Sequence, residues 1–183
     1  MSSLNLSVLQ SKIAVSNTSN ITRGALLLVV AVIIQGIRLV LPLPTIVSMF
    51  LVGSLVNLVL IIAVVKNNLS TAFIIAILLP NIAYVQGQLL IPMLIPVVIT
   101  GNIAYIWGIY KLFSHKKYLF LVPTFKAALM YFFTFILLQQ IPLTDIVKKT
   151  ISFSMGIAQL VTGVLGIIFW IFLEKRNYFR SIK

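Results

Sequence analysis

Cysteine is absent from this 183-residue chain. That removes disulfides, thiolate chemistry and cysteine metal sites together. Acid is almost as scarce, because Asp145 and Glu174 are the only carboxylates. Neither lies inside an apolar run, which argues against a carboxylate proton relay or a two-carboxylate hydrolase. His115 is the single histidine and sits in a basic stretch, so no histidine metal cluster can be built. No glycine-rich loop ends in Gly-Lys-Ser/Thr, which excludes nucleotide binding through a P-loop. Hydroxyls are present, but no Ser–His–Asp set can be assembled. The chain is therefore not expected to be an enzyme, and no metal or cofactor is expected. Charged residues make up only 9% of it, against about 25% in a soluble domain.

What fills the chain instead is hydrocarbon, at 61% hydrophobic residues. Six apolar runs cover about Arg23–Leu41, Thr45–Lys66, Leu69–Gly87, Ile91–Phe113, Leu119–Ile141 and Ile151–Leu173. A hydrocarbon core about 30 Å thick needs roughly 20 helical residues at 1.5 Å each. The runs lack the period-two alternation of barrel strands and are about twice too long for them. The fold class predicted is all-α, a polytopic six-transmembrane-helix bundle. Residues 1–22 form a leader, residues 23–175 the membrane domain and residues 176–183 a basic tail.

Net charge is +12, with 14 Lys and Arg. Such a balance suggests nucleic acid until the placement is considered. With the N-terminus in the cytoplasm, ten of these cations fall on the inner side. Arg38, Lys148 and Lys149 fall outside, and Lys126 lies within the fifth run. That bias is the positive-inside signature, which places both termini in the cytoplasm and argues against a nucleic-acid partner. The tail after Leu173 reads as an interfacial anchor. The Ser/Asn/Thr-rich leader lacks the features of a secretory signal and reads as a segment on the membrane surface. On that side its two Asn-x-Ser/Thr matches, at Asn17 and Asn20, would be fortuitous.

Connections are short, as in a bundle of antiparallel neighbours. Pro42-Leu-Pro44 forces a turn between the first two runs. Lys66-Asn67-Asn68 makes a cytoplasmic turn, and residues 86–92 link the third and fourth runs. Ser114-His-Lys-Lys117 is a basic cytoplasmic loop, and residues 142–150 return the chain outside.

Polar side chains within the runs are unevenly deep. Gln35 and Arg38 lie near the outer end of the first run. Tyr84, Gln86 and Gln88 close the third, Gln139 and Gln140 the fifth, while Ser152, Ser154 and Gln159 open the sixth. Asn57, Asn81 and Asn102 sit nearer the midplane, and the inner half is apolar apart from Lys126 and small hydroxyls. Unpartnered polar groups in lipid cost several kcal/mol each, so these should face the bundle interior or the interface. A pocket opening outward would use Gln35, Arg38, Tyr84, Gln88, Asn102, Gln139, Gln140 and Gln159. Asn81, Tyr84 and Gln88 share one helical face. The asparagines serve equally well as interhelical hydrogen-bond glue, and the glutamines as headgroup-level residues. Arg38 and Lys126 read as snorkelling cations, with contact to substrate open for Arg38. Trp107 and Trp170 read as packing or interfacial residues. Gln88→Ala or Asn102→Ala is expected to weaken binding more than Lys126→Ala. Lys148 and Lys149 read as a solvated pair that could attract an anion, and the basic outer residues together lean toward an anionic or carboxylate-bearing ligand.

The run Pro80-Asn-Ile-Ala-Tyr-Val-Gln-Gly-Gln-Leu-Leu-Ile-Pro92, leading into Ile95-Pro-Val-Val-Ile-Thr-Gly-Asn102, resembles the substrate-binding S component of energy-coupling factor (ECF) transporters. The resemblance extends over about residues 23–175. It implies capture of a vitamin or related micronutrient outside a bacterial cell membrane. The partners implied are a coupling transmembrane subunit and two cytoplasmic ATPases, besides the lipid itself. In that family small residues on the first helix, often Ala-x-x-x-Ala, face the coupling subunit. Here Gly24, Ala25 and Ala31 would take that role, without an Ala pair four apart, and tight packing within the bundle is the other reading. A second reading of the whole chain is a non-catalytic scaffold similar to the MreD-like proteins of cell-shape control. A third is a self-contained small carrier or channel. A transporter subunit needs a pocket lined by several helices, whereas a scaffold does not.

Overall fold

A backbone crossing lipid satisfies its N–H and C=O groups only inside its own helix or in a closed barrel, and this chain takes the helical solution. In the computed structural model, which describes residues 3–41, 44–89 and 91–176 with side chains from Thr18 onward, no strand occurs among the described residues. The described residues form seven α-helices in order: α1 Ser3–Val40, α2 Thr45–Ile62, α3 Leu69–Val85, α4 Leu94–Leu112, α5 Leu121–Gln139, α6 Asp145–Met155 and α7 Ile157–Lys175. Among the described residues five stretches are long and apolar enough to cross a membrane: Thr18–Val40, Thr45–Asn67, Leu94–Leu112, Lys116–Gln139 and Asp145–Lys175. Helix α3 is apolar but shorter, at 17 residues. The chain is a multi-pass membrane protein. Its outward surface agrees, since Val29, Ile33, Phe132, Phe135, Ile168 and Phe172 are all exposed. Water would not tolerate that surface, whereas hydrocarbon does.

The turns have local causes. Helix α2 ends in a π-helical turn, Ala63–Asn67. Asn68 then caps α3 by accepting the Thr71 N–H at 2.7 Å, the ordinary role of Asn at a helix start. Asn67 donates through Nδ2 to the Asn20 carbonyl at 3.0 Å, fastening this turn to α1. No break in α1 marks the leader boundary expected at residue 22, and the helix continues through it. The sixth run differs from the single helix expected. Its helix begins earlier, at Asp145, and breaks at the buried Gly156. Asp145 in the first turn complements the helix dipole, which extends helix into the segment expected as a loop. Pro42, Leu43 and Leu90 of the expected turns, and residues 177–183 of the basic tail, lie outside the described residues. Arg176 is described, with its guanidinium 4.7 Å from the Phe172 ring centre.

The core is densest toward the end of the bundle marked by Lys116 and Glu174, which pair at 2.8 Å. Leu60 and Ile61, Ile75, Ile106 and Ile109, Ile167 and Trp170 interlock there. Trp170 packs near Phe113, with ring centres 6.1 Å apart, while Trp107 is exposed. Helices α2 and α7 approach closely at Gly166. A Cβ there would stand 2.9 Å from the Asn57 Cβ and 3.3 Å from its carbonyl carbon. Small residues permit such backbone contact within lipid. A second, smaller buried cluster gathers Leu89, Leu94, Val97, Met130 and Met155.

Candidate functional site

Four helices deliver polar groups to one buried point. Lys126 of α5 is 2% exposed. Its Nζ donates to Asn57 Oδ1 of α2 at 2.8 Å and to Asn102 Oδ1 of α4 at 3.0 Å. Because lysine can only donate, both amides must turn their oxygens toward it. That leaves the Nδ2 of Asn57 facing α7, where it donates to Thr162 Oγ1 at 3.2 Å. Thr162 in turn donates to the Gln159 carbonyl at 3.3 Å. Beneath the ammonium lies the Tyr105 ring, 5.0 Å from Nζ to its centre. The Tyr105 hydroxyl donates to the Gly163 carbonyl at 2.9 Å. A cation held by two amide oxygens and a ring face is stabilised without a carboxylate.

Above this network is a cavity of about 350 Å³. Lys126, Asn57 and Asn102 lie along it with Met49, Val52 and Val98, and Gln35, Arg38, Gln88, Ser154 and Gln159 add to the polar lining. The α1 side and the α3–α4 turn are fastened to each other. Gln88 donates through Nε2 to the Gln35 carbonyl at 2.8 Å and to Gln86 Oε1 at 2.9 Å. Gln35 donates to the Leu79 carbonyl at 3.4 Å, beside Pro80 in the middle of α3. Membrane helices tolerate an internal proline when neighbouring groups satisfy the backbone around it. Two buried atoms of the lining, Gln35 Oε1 and Arg38 Nε, have no hydrogen-bond partner among the described residues.

Of the residues expected to bind substrate, Gln35, Arg38, Gln88, Asn102 and Gln159 come together around this cavity. Tyr84 does not, because it is exposed on α3. Gln139 and Gln140 are exposed as well, and Gln139 lines a separate groove between α5, α6 and α7 with Lys148 and Lys149. Asn81 is exposed and donates to the Ile77 carbonyl of its own helix at 2.7 Å. The snorkelling expected of Lys126 is corrected: its side chain is sequestered because two amide oxygens on neighbouring helices meet it inside the bundle. Asn57, expected as interhelical hydrogen-bond glue and not as a site residue, bonds to Lys126 and Thr162 on neighbouring helices, whereas no local pattern marks Thr162. Lys126 did carry a signal, since an ionisable residue inside a span is a functional candidate by default. Of the small residues expected at a partner interface, Gly24 is buried against Thr71 and Asn67, and Ala31 lies wholly inside the core. Both face the chain's own helices and are closed to a partner, whereas Ala25 is exposed.

Comparison of the chain with protein families, with curated proteins and with solved structures finds no match.

Proposed function

We propose that this chain is the substrate-binding S component of an ECF-type importer, taking up a vitamin or related micronutrient. In this reading the sixth crossing is α3. Both termini are cytoplasmic, the Lys116–Glu174 end is the inner one, and the membrane is that of a bacterial cell. The observation that supports it most is the cavity of about 350 Å³ lined by polar groups from several helices. Its volume falls in the range of small-molecule sites, roughly 300–1,000 Å³. It lies toward the end expected to face outward, while the opposite end is filled by apolar side chains. A binding subunit needs this asymmetry, because a ligand must enter from one side and be kept from leaking through the other.

Energy would come from outside the chain. The coupling membrane subunit and its two ATPases would rearrange this bundle after capture, and exposed α1 surface around Ala25 and Val29 is available to them. Native mass spectrometry of the purified full chain should show a retained small molecule of whatever charge. Co-expression with a coupling subunit and its ATPases should yield a complex that survives purification. Neither a ligand nor a complex would leave the MreD-like scaffold as the better account.

A further inference from the structure

The cavity contains two cationic side chains and no carboxylate. Arg38 and Lys126 both line it. The chain's only acids are elsewhere, with Glu174 paired to Lys116 and Asp145 in the first turn of α6. Buried charges are ordinarily paired, because removing an ion from water is costly and a neutral surround does not fully offset it. Lys126 has only amide oxygens and a ring as partners. An ammonium carries three N–H groups and two are engaged, so one is left over. The orientation forced on Asn102 turns its Nδ2 away from the lysine, and among the described residues nothing accepts from that nitrogen. At the cavity floor, therefore, donors are in excess and no carboxylate counter-ion is present. Arg38 Nε repeats the pattern, since it is buried and unpartnered among the described residues.

We infer that the ligand is a small organic carboxylate whose charged group sits on Lys126 and Asn102, with Arg38 as a second cationic contact. This rests on the binding-subunit reading and narrows its substrate class. Two leftover donors at the floor match the two oxygens of a carboxylate. A phosphate would bring more oxygens and more charge than these groups complement. The uncharged body of the ligand would lie against Met49, Val52 and Val98, which supply the apolar wall.

The test uses the full chain in detergent, with benzoate, nicotinate and hippurate as probes, each beside its primary amide, and with phenyl phosphate. Thermal unfolding and calorimetry should show stabilisation by at least one carboxylate, with its amide and phenyl phosphate binding about tenfold or more weakly. An Asn102→Asp variant needs no ligand to be informative. Its carboxylate would replace the amide oxygen 3.0 Å from Nζ and serve as a built-in counter-ion. The ligand-free variant should unfold about 3 °C or more higher than the parent and lose its response to carboxylates. Lys126→Met should lose the preference for carboxylate over amide. A fall in the unfolding temperature of Asn102→Asp, or no response of the parent chain to any carboxylate, would overturn the inference. Equal or tighter binding of the amides or of phenyl phosphate would overturn it too, while leaving a ligand-binding subunit intact. A chain that retains no small molecule and captures no coupling subunit would remove the underlying reading instead.

Discussion

Two hollows in this molecule differ in a way that size does not predict. The larger, about 620 Å³ between α5, α6 and α7, is lined chiefly by Tyr131, Phe135, Phe153, Ile157 and Leu160. Several of these are exposed on the lipid-facing surface, so acyl chains can fill the groove at no electrostatic cost. The smaller, about 350 Å³, gathers Arg38, Lys126 and a set of amides from several helices. A void that binds specifically is marked by polar groups held in place and left incompletely satisfied. By that measure the smaller hollow is the candidate site. Lys148 and Lys149, the basic pair considered for an anion, border the larger one.

The largest expected effect sets the two hollows directly against each other. Val98→Trp would fill the small cavity and should weaken ligand binding on the order of a hundredfold. Ala128→Trp, in the larger groove, should leave it within about twofold. Calorimetry on both variants decides the matter, and the opposite outcome would transfer the site to the groove. Next comes Gly166→Ala, whose new methyl would press on Asn57 and part α2 from α7. A cost of about 1–3 kcal/mol is expected from such overpacking, together with weaker binding because Asn57 holds Lys126. Unfolding temperature and affinity should fall together. Smaller again is Asn102→Ala, which removes one amide and should weaken carboxylate binding about tenfold, whereas Gln139→Ala should not alter it. The smallest effect belongs to Glu174→Gln. Its ion pair with Lys116 is exposed at the far end, so a stability change of about 0.5 kcal/mol or less and unchanged affinity are expected.

These contrasts reorder one expectation. Gln88 and Asn102 were ranked above Lys126 for binding. In the structure, both Gln88 Nε2 hydrogens are directed at Gln35 and Gln86, fastening the α3–α4 turn. Lys126 lines the same cavity as the central donor of the buried network. Gln88→Ala should therefore loosen the rim, and Lys126→Met should remove the charge that selects the ligand.

Residues whose location follows from their own segment were legible in advance. Gln35, Arg38, Asn102 and Gln159 occur in spanning segments, and a polar group there must turn inward or reach an interface. The misses came where two destinations were compatible with that rule. Tyr84, Gln139 and Gln140 took the exposed one. Lys126 took the buried one, although the start of α5 is only about 7.5 Å away along the helix. A snorkelling path was available to it, and nothing in the surrounding residues of α5 reveals that acceptors wait on α2 and α4. Asn57 and Thr162 stand 105 residues apart in sequence yet share a hydrogen bond, and no periodicity connects them.

Sequence alone determined that the chain is helical and that it belongs in lipid. Each of those follows from composition and from the length of a single apolar run, because the bilayer acts on every segment separately. Only the tertiary structure decided which polar groups meet. Helix rotation and close approach, as at Gly166, set the distances between segments, and an ammonium chooses between solvent and a buried amide by what those distances bring within reach.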